Sequence, residues 1–158
     1  MIEENFRPYA SYVESGIEGI RRMGLEVLEF RNRYVKLRMP LKGNANHLGT
    51  MYAGFLFTIG EIIGGAIFLA AFDPFKYFPI VKEVNIRYRL PALSDVTVDA
   101  ELTEAQVEAL QAALTKKGKV DFTMDLDLKD TNGTVVSLVH GIWQIRNLPE
   151  GLKPPWSA

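Results

Sequence analysis

Between Thr50 and Phe72 the only formal charge is Glu61, and that long apolar stretch restricts the fold more than any other part of the chain. A membrane span wants about 20 apolar residues, and a carboxylate at its middle costs about 2.5 kcal/mol or more. Glu61 stands near the centre, Gly54, Gly60, Gly64 and Gly65 thin the apolar surface, and no second span follows. We therefore read a helix that is apolar on all sides because protein surrounds it, and we expect no membrane partner. Asp73-Pro74 stops it, since proline cannot continue the hydrogen-bonded ladder.

What surrounds the helix is written as alternation. Val84, Ile86, Tyr88 and Leu90 alternate with Glu83, Asn85, Arg87 and Arg89. Val96 to Leu102 and Val120 to Leu128 repeat the pattern, giving strands with one dry and one wet face, as in an antiparallel sheet. Thr134 to Ile145 is apolar on both faces, which suits a central strand or a subunit contact, and Asn132-Gly133 before it is a two-residue hairpin signal. Leu25–Phe30 and Tyr34–Met39 read as two strands around Arg31-Asn32-Arg33. Phe6, Tyr9, Val13, Ile17 and Ile20 predict one N-terminal helix of about four turns, ended by Gly24. Thr103 and Gln106 form a capping box for an inserted helix near 103–118, with Val107, Leu110 and Leu114 as its stripe. The expected class is α+β: an antiparallel sheet wrapped around a long central helix.

The chain's 158 residues suit one domain, placed at 1–148 with a tail at 149–158. Lys and Arg number 18 against 19 Asp and Glu, so there is no basic excess to attract nucleic acid. No cysteine is present, which excludes disulfides, thiol nucleophiles and Cys-based metal sites. Two histidines in separate segments make no metal site, and no cofactor is expected. Met1 to Tyr12 carries Glu3, Glu4 and Arg7 without an apolar run, so a cytoplasmic protein is expected.

Glu61 is the chemical outlier. An ionised carboxylate in an apolar helix is costly unless paired, so either its pKa rises, as a general base near neutral pH requires, or it meets a partner at a helix or subunit contact. Asn46-His47-Leu48-Gly49-Thr50 precedes the helix. These residues can simply cap it, or the turn can aim several N–H donors at a carbonyl oxygen. Glu61 is about three turns further along, so a joint site would use two subunits. Lys82, Arg87 and Arg89 on one strand can form a cross-strand ion-pair ladder with Asp99, Glu101 and Asp121.

Asn46-x-x-Gly49-Thr50-x-Tyr52-Ala53-Gly54, followed by Glu61, resembles the signature of hotdog-fold thioesterases of the phenylacetyl-CoA thioesterase type. The family pattern is Asn-x-x-Gly-x-x-His-Gly-Gly, then Asp or Glu seven residues after the last Gly, and Gly54 to Glu61 is seven. Val84 to Ala92 is similar to the strand after the helix, with its Pro-Ala exit. The likeness spans roughly Leu25 to Ile145 and extends to a bacterial thioesterase branch with Asn-His-x-Gly-Thr-Met-Tyr-Ala-Gly at the helix start. The resemblance implies a hotdog fold, a homodimer or dimer of dimers, and an acyl-CoA or acyl-carrier thioester as substrate. It makes Glu61 the general base or nucleophile and Asn46 of the facing subunit a positioning group. His47, Gly49, Thr50, Tyr52, Ala53 and Gly54 would line the substrate, with the Ala53 N–H polarising the carbonyl, and Lys82, Arg87 and Arg89 at the pocket mouth would bind the phosphates of CoA. Tyr52 stands where the family has His, and Ala53 where it has Gly.

Two other functions fit. Tyr52 and Ala53 suit a non-catalytic acyl-binding module. His47 lies fourteen positions before Glu61, the spacing of hotdog hydroxyacyl dehydratases, although the Phe-Pro-Gly element of that family is missing.

Overall fold

The computed structural model describes residues 1–157; Ala158, the end of the expected tail, lies outside them. After a short 3-10 turn, α1 (Arg7–Ser15) and α2 (Glu18–Met23) stand where one helix was expected. The break falls at Gly16, a weak helix former, whose N–H bonds the Tyr12 carbonyl at 2.7 Å. The Tyr12 ring folds over it, so a Cβ there would approach the ring to under 3.0 Å. Ile17 then takes extended backbone. Gly24 ends α2 in the left-handed region at φ 70°, as its position predicts.

The strands β1 (Glu26–Arg31) and β2 (Tyr34–Met39) form the first hairpin. The apolar stretch forms α3 (Ala53–Ala71), with Ile59, Ile63, Ile67 and Phe68 fully buried. Among the described residues it is the one helix long and apolar enough to cross a membrane, and the sheet packs against it instead. Gly60 and Gly64 allow that approach, because a Cβ at either would come within 3.0 Å of Val139 or Trp143. The helix starts at Ala53, later than Thr50. Tyr52 is its N-cap and contributes no side-chain hydrogen bond, so Asn46, His47 and Thr50 do not cap it.

Next come β3 (Tyr77–Tyr88), β4 (Val96–Glu101), α4 (Glu104–Lys117), β5 (Lys119–Lys129) and β6 (Val135–Asn147). All six strands make one antiparallel sheet in the order β1-β2-β4-β5-β6-β3. The capping box of α4 is present, Thr103 accepting from the Gln106 N–H, and Gly118 closes the helix at φ 70°. β5 alternates as read, with Phe122, Met124, Leu126 and Leu128 inward. β6 lies between β5 and β3; Val139, Trp143 and Ile145 on its inner face are buried, whereas Leu138 and Ile142 on the outer face stay partly exposed and His140 is exposed.

Three details differ from the sequence reading. β3 begins well before Glu83, and as an edge strand it leaves Val81 and Tyr88 exposed. Leu90 falls beyond β3 and is half exposed. The turn before β6 is wider than two residues: the Asp130 carboxylate accepts from the N–H groups of Asn132 and Thr134, and the pairing resumes at Lys129 and Val135. The tail is docked, since the Trp156 Nε1–H donates to the Pro74 carbonyl at 3.2 Å and its ring meets Tyr12 edge-on at 5.2 Å.

Candidate active site

Residues 53, 57, 61 and 65 share one column of α3, because side chains four apart on a helix lie above one another. In this column Ala53 and Phe57 are exposed, and Glu61 and Gly65 are partly so. The column is thus an apolar strip with one carboxylate in it. Glu61 is half-buried and has no hydrogen-bond or ion-pair partner among the described residues. Burial pushes its pKa above the ordinary carboxylate value, since taking the charged form out of water is penalised.

The loop before the helix is tightly tied. Asn44, which the sequence gives no reason to single out, is buried and donates to the carbonyls of Met23 (2.7 Å) and Pro40 (2.8 Å). Its own carbonyl accepts from the Tyr52 N–H at 3.0 Å, which seats the helix entrance. The Asn46 side-chain oxygen accepts from the N–H groups of Leu48 (2.8 Å) and Thr50 (3.2 Å), and its amide donates to the Thr50 hydroxyl at 2.9 Å. Gly49 lies in the left-handed region at φ 79°, where glycine fits without strain. His47 is exposed on this loop.

At the helix entrance a cavity of about 310 Å³ brings Asn46, Thr50 and Ala53 together with Tyr88 and Arg89. The Tyr88 hydroxyl donates to the Ala53 carbonyl at 3.1 Å, tying the end of β3 to the first turn of α3. The N–H groups of Ala53 and Gly54 have no intrahelical acceptor and receive no side-chain cap. Tyr52 is exposed and meets Phe55 edge-on at 5.7 Å. A Cβ at Gly54 would come within 3.0 Å of the Tyr52 ring, so a side chain there would displace that exposed ring.

Glu61 does not line this cavity. Eight residues separate it from Ala53, about 12 Å along the helix axis. Within one chain the structure therefore gathers the loop residues but leaves the carboxylate apart from them. Lys82 is held elsewhere, 2.6 Å from Asp121, whose carboxyl it keeps below the usual range. Arg87 lies on the outer sheet face in a groove with Asp125, Asp127 and His140. Asp99 and Glu101 pair with β2 and stay away from β3. Arg89 is the cation at the entrance cavity, and Tyr88, which the alternation pattern marks only as an apolar position, lines it too. Among the described residues no group of three or more His, Asp or Glu is placed to hold a metal ion.

Residues 20–145 match the family described as a domain of unknown function, DUF4442. No curated protein matches the chain. The chain is similar, at 38% identity and a TM-score of 0.86, to PA5026 of Pseudomonas aeruginosa, described as a protein of unknown function and probable thioesterase; the match covers 94% of this chain and 99% of that one. The fold is shared with a mutant form of thioesterase PA1618 from the same organism (16% identity, TM-score 0.70, 92% and 96% covered). It is shared also with thioesterase HI1161 of Haemophilus influenzae (14% identity, TM-score 0.68, 92% of each chain). With its sheet wrapped on α3 and a match over most of its length, the chain belongs to the DUF4442 family within the hotdog-fold thioesterase superfamily.

Proposed function

We propose that the protein is an acyl thioesterase that hydrolyses an acyl-CoA or carrier-bound thioester, with water activated by Glu61. The observation that carries this reading is the half-buried, unpartnered Glu61 carboxylate, whose pKa burial raises in the direction that makes a carboxylate a stronger base. Glu61 takes a proton from water as the oxygen adds to the thioester carbonyl. The tetrahedral intermediate then collapses, the C–S bond breaks, and the proton passes to the departing sulfur, leaving a carboxylic acid and a thiol. The Ala53 N–H at the free start of α3 supplies a donor for the carbonyl oxygen. Arg89 at the entrance cavity suits the phosphates of CoA.

The separation between Glu61 and Asn46 calls for a second copy, so that Glu61 of one chain faces the entrance loop of another. Two features support a homodimer: the unpaired outer edge of β3, and the apolar strip around Glu61 on α3. The alternative is an acyl-binding module without catalysis. It is favoured by the use of the Asn46 carboxamide on its own loop, and by Tyr52 in place of His.

Glu61→Gln, assayed for thiol release across an acyl-CoA panel, separates the two. Loss of a general base lowers turnover by about 10²-fold or more. Turnover equal to wild type contradicts the mechanism, and a wild-type chain that binds acyl-CoA without hydrolysing it establishes the binding module.

A further inference from the structure

A second cavity, of about 320 Å³, lies on the flank of α3 away from Gly60 and Gly64, the residues that face the sheet. α3 contributes Ile62, Gly65 and Leu69, α1 contributes Tyr12, and the tail contributes Trp156. Its walls are almost wholly apolar, and it is about twice the size of a cavity of about 150 Å³ that holds benzene.

Three observations say what it receives. First, glycine weakens a helix interior relative to alanine, and packing within the chain does not explain Gly65: a Cβ there would meet nothing within 4 Å, unlike at Gly60 and Gly64. Second, Glu61 does not itself line the cavity, but Ile62 and Gly65 do, the first its neighbour in the chain and the second one helical turn beyond it in the same column. Third, Trp156 is a held wall, bonded to the Pro74 carbonyl and set edge-on to Tyr12.

We infer that this cavity is the acyl pocket of the site: a medium-length apolar acyl chain passes Gly65 from the thioester beside Glu61 and ends against Trp156, which sets its length. The inference rests on the thioester reading above, and its test is a binding measurement that stands apart from hydrolysis.

The probes are S-ethyl-CoA, S-decyl-CoA and S-tetradecyl-CoA, thioethers that cannot be hydrolysed, titrated into the full chain by calorimetry. Each methylene withdrawn from water strengthens binding about fourfold, so the wild-type chain binds the decyl probe at least 30-fold more tightly than the ethyl probe. Gly65→Leu fills the pocket and cuts that ratio at least tenfold. Trp156→Ala removes the end wall and raises the tetradecyl-to-decyl affinity ratio at least threefold, a second reading that does not depend on the Gly65 variant folding. A decyl-to-ethyl ratio near one in wild type overturns the pocket. So do unchanged ratios in the variants, with or without a change in oligomeric mass by light scattering. If the ratios shift as stated but acyl-CoA is never hydrolysed, the pocket stands and the hydrolytic reading falls.

Discussion

Gly64 lies so close to the Trp143 indole that a Cβ would come within 3.0 Å of it, whereas Gly65, its neighbour, faces open space. Two adjacent glycines in one helix therefore carry opposite constraints. Gly64→Ala overpacks the contact between helix and sheet and costs about 1–3 kcal/mol. Gly65→Ala gains about 0.5–1 kcal/mol from helix propensity, with nothing in its own chain to clash against. Thermal unfolding checks both: at about 2–4 °C per kcal/mol for a chain of this size, the first variant melts below wild type and the second above it.

The Glu61 carboxyl makes stability depend on pH in a definite direction. Its folded-state pKa is raised by burial above the ordinary 4.5. The stability linked to the neutral form is therefore fully present below that ordinary value, and it is lost as pH rises through the folded-state value. Glu61→Gln has no charge to bury. The variant melts above wild type at pH 7, and the gap closes as the pH is lowered below about 4.5, a trend read from melting temperatures across a pH series. Hydrolysis by wild type runs the other way, falling in acid as Glu61 becomes protonated.

Local signals were legible wherever the cause is local. The Thr103–Gln106 capping box, the stop at Gly118 and the alternation along β5 all depend on residues a few positions apart, and all are found in the structure. The break at Gly16 was hidden, because the apolar spacing runs through it and the Tyr12 ring that covers Gly16 is placed by tertiary packing. α3 starts later than Thr50 for a similar reason: Asn46 satisfies the loop, and the buried Asn44 fixes Tyr52 as the boundary. Of the site, Glu61 stood out as a lone charge in an apolar run. The two cavities did not, since Arg89 and Asn46 line one of them, and Trp156 and Gly65 the other, only after distant segments come together.

Thr103→Ala removes one half of the capping box and costs about 1 kcal/mol. Because α4 is an insertion that packs chiefly on β5 and β6, the variant melts a few degrees lower.

Arg89→Ala removes the cation of the entrance cavity. KM for acyl-CoA rises several-fold while kcat changes little, and the wild-type KM rises with salt as the phosphate contact is screened. Steady-state kinetics at low and high ionic strength distinguish this from a purely structural role, which would lower kcat as well.

The most direct test of a site shared between two copies is complementation. Glu61→Gln and Asn46→Asp chains, each inactive alone, are co-expressed and assayed for acyl-CoA hydrolysis; the Asp variant keeps the acceptor that ties the loop. If Glu61 of one chain works with Asn46 of the other, half of the randomly mixed dimers carry one intact site of two, and activity returns to about one quarter of wild type. Activity no greater than that of the separate parents contradicts the account.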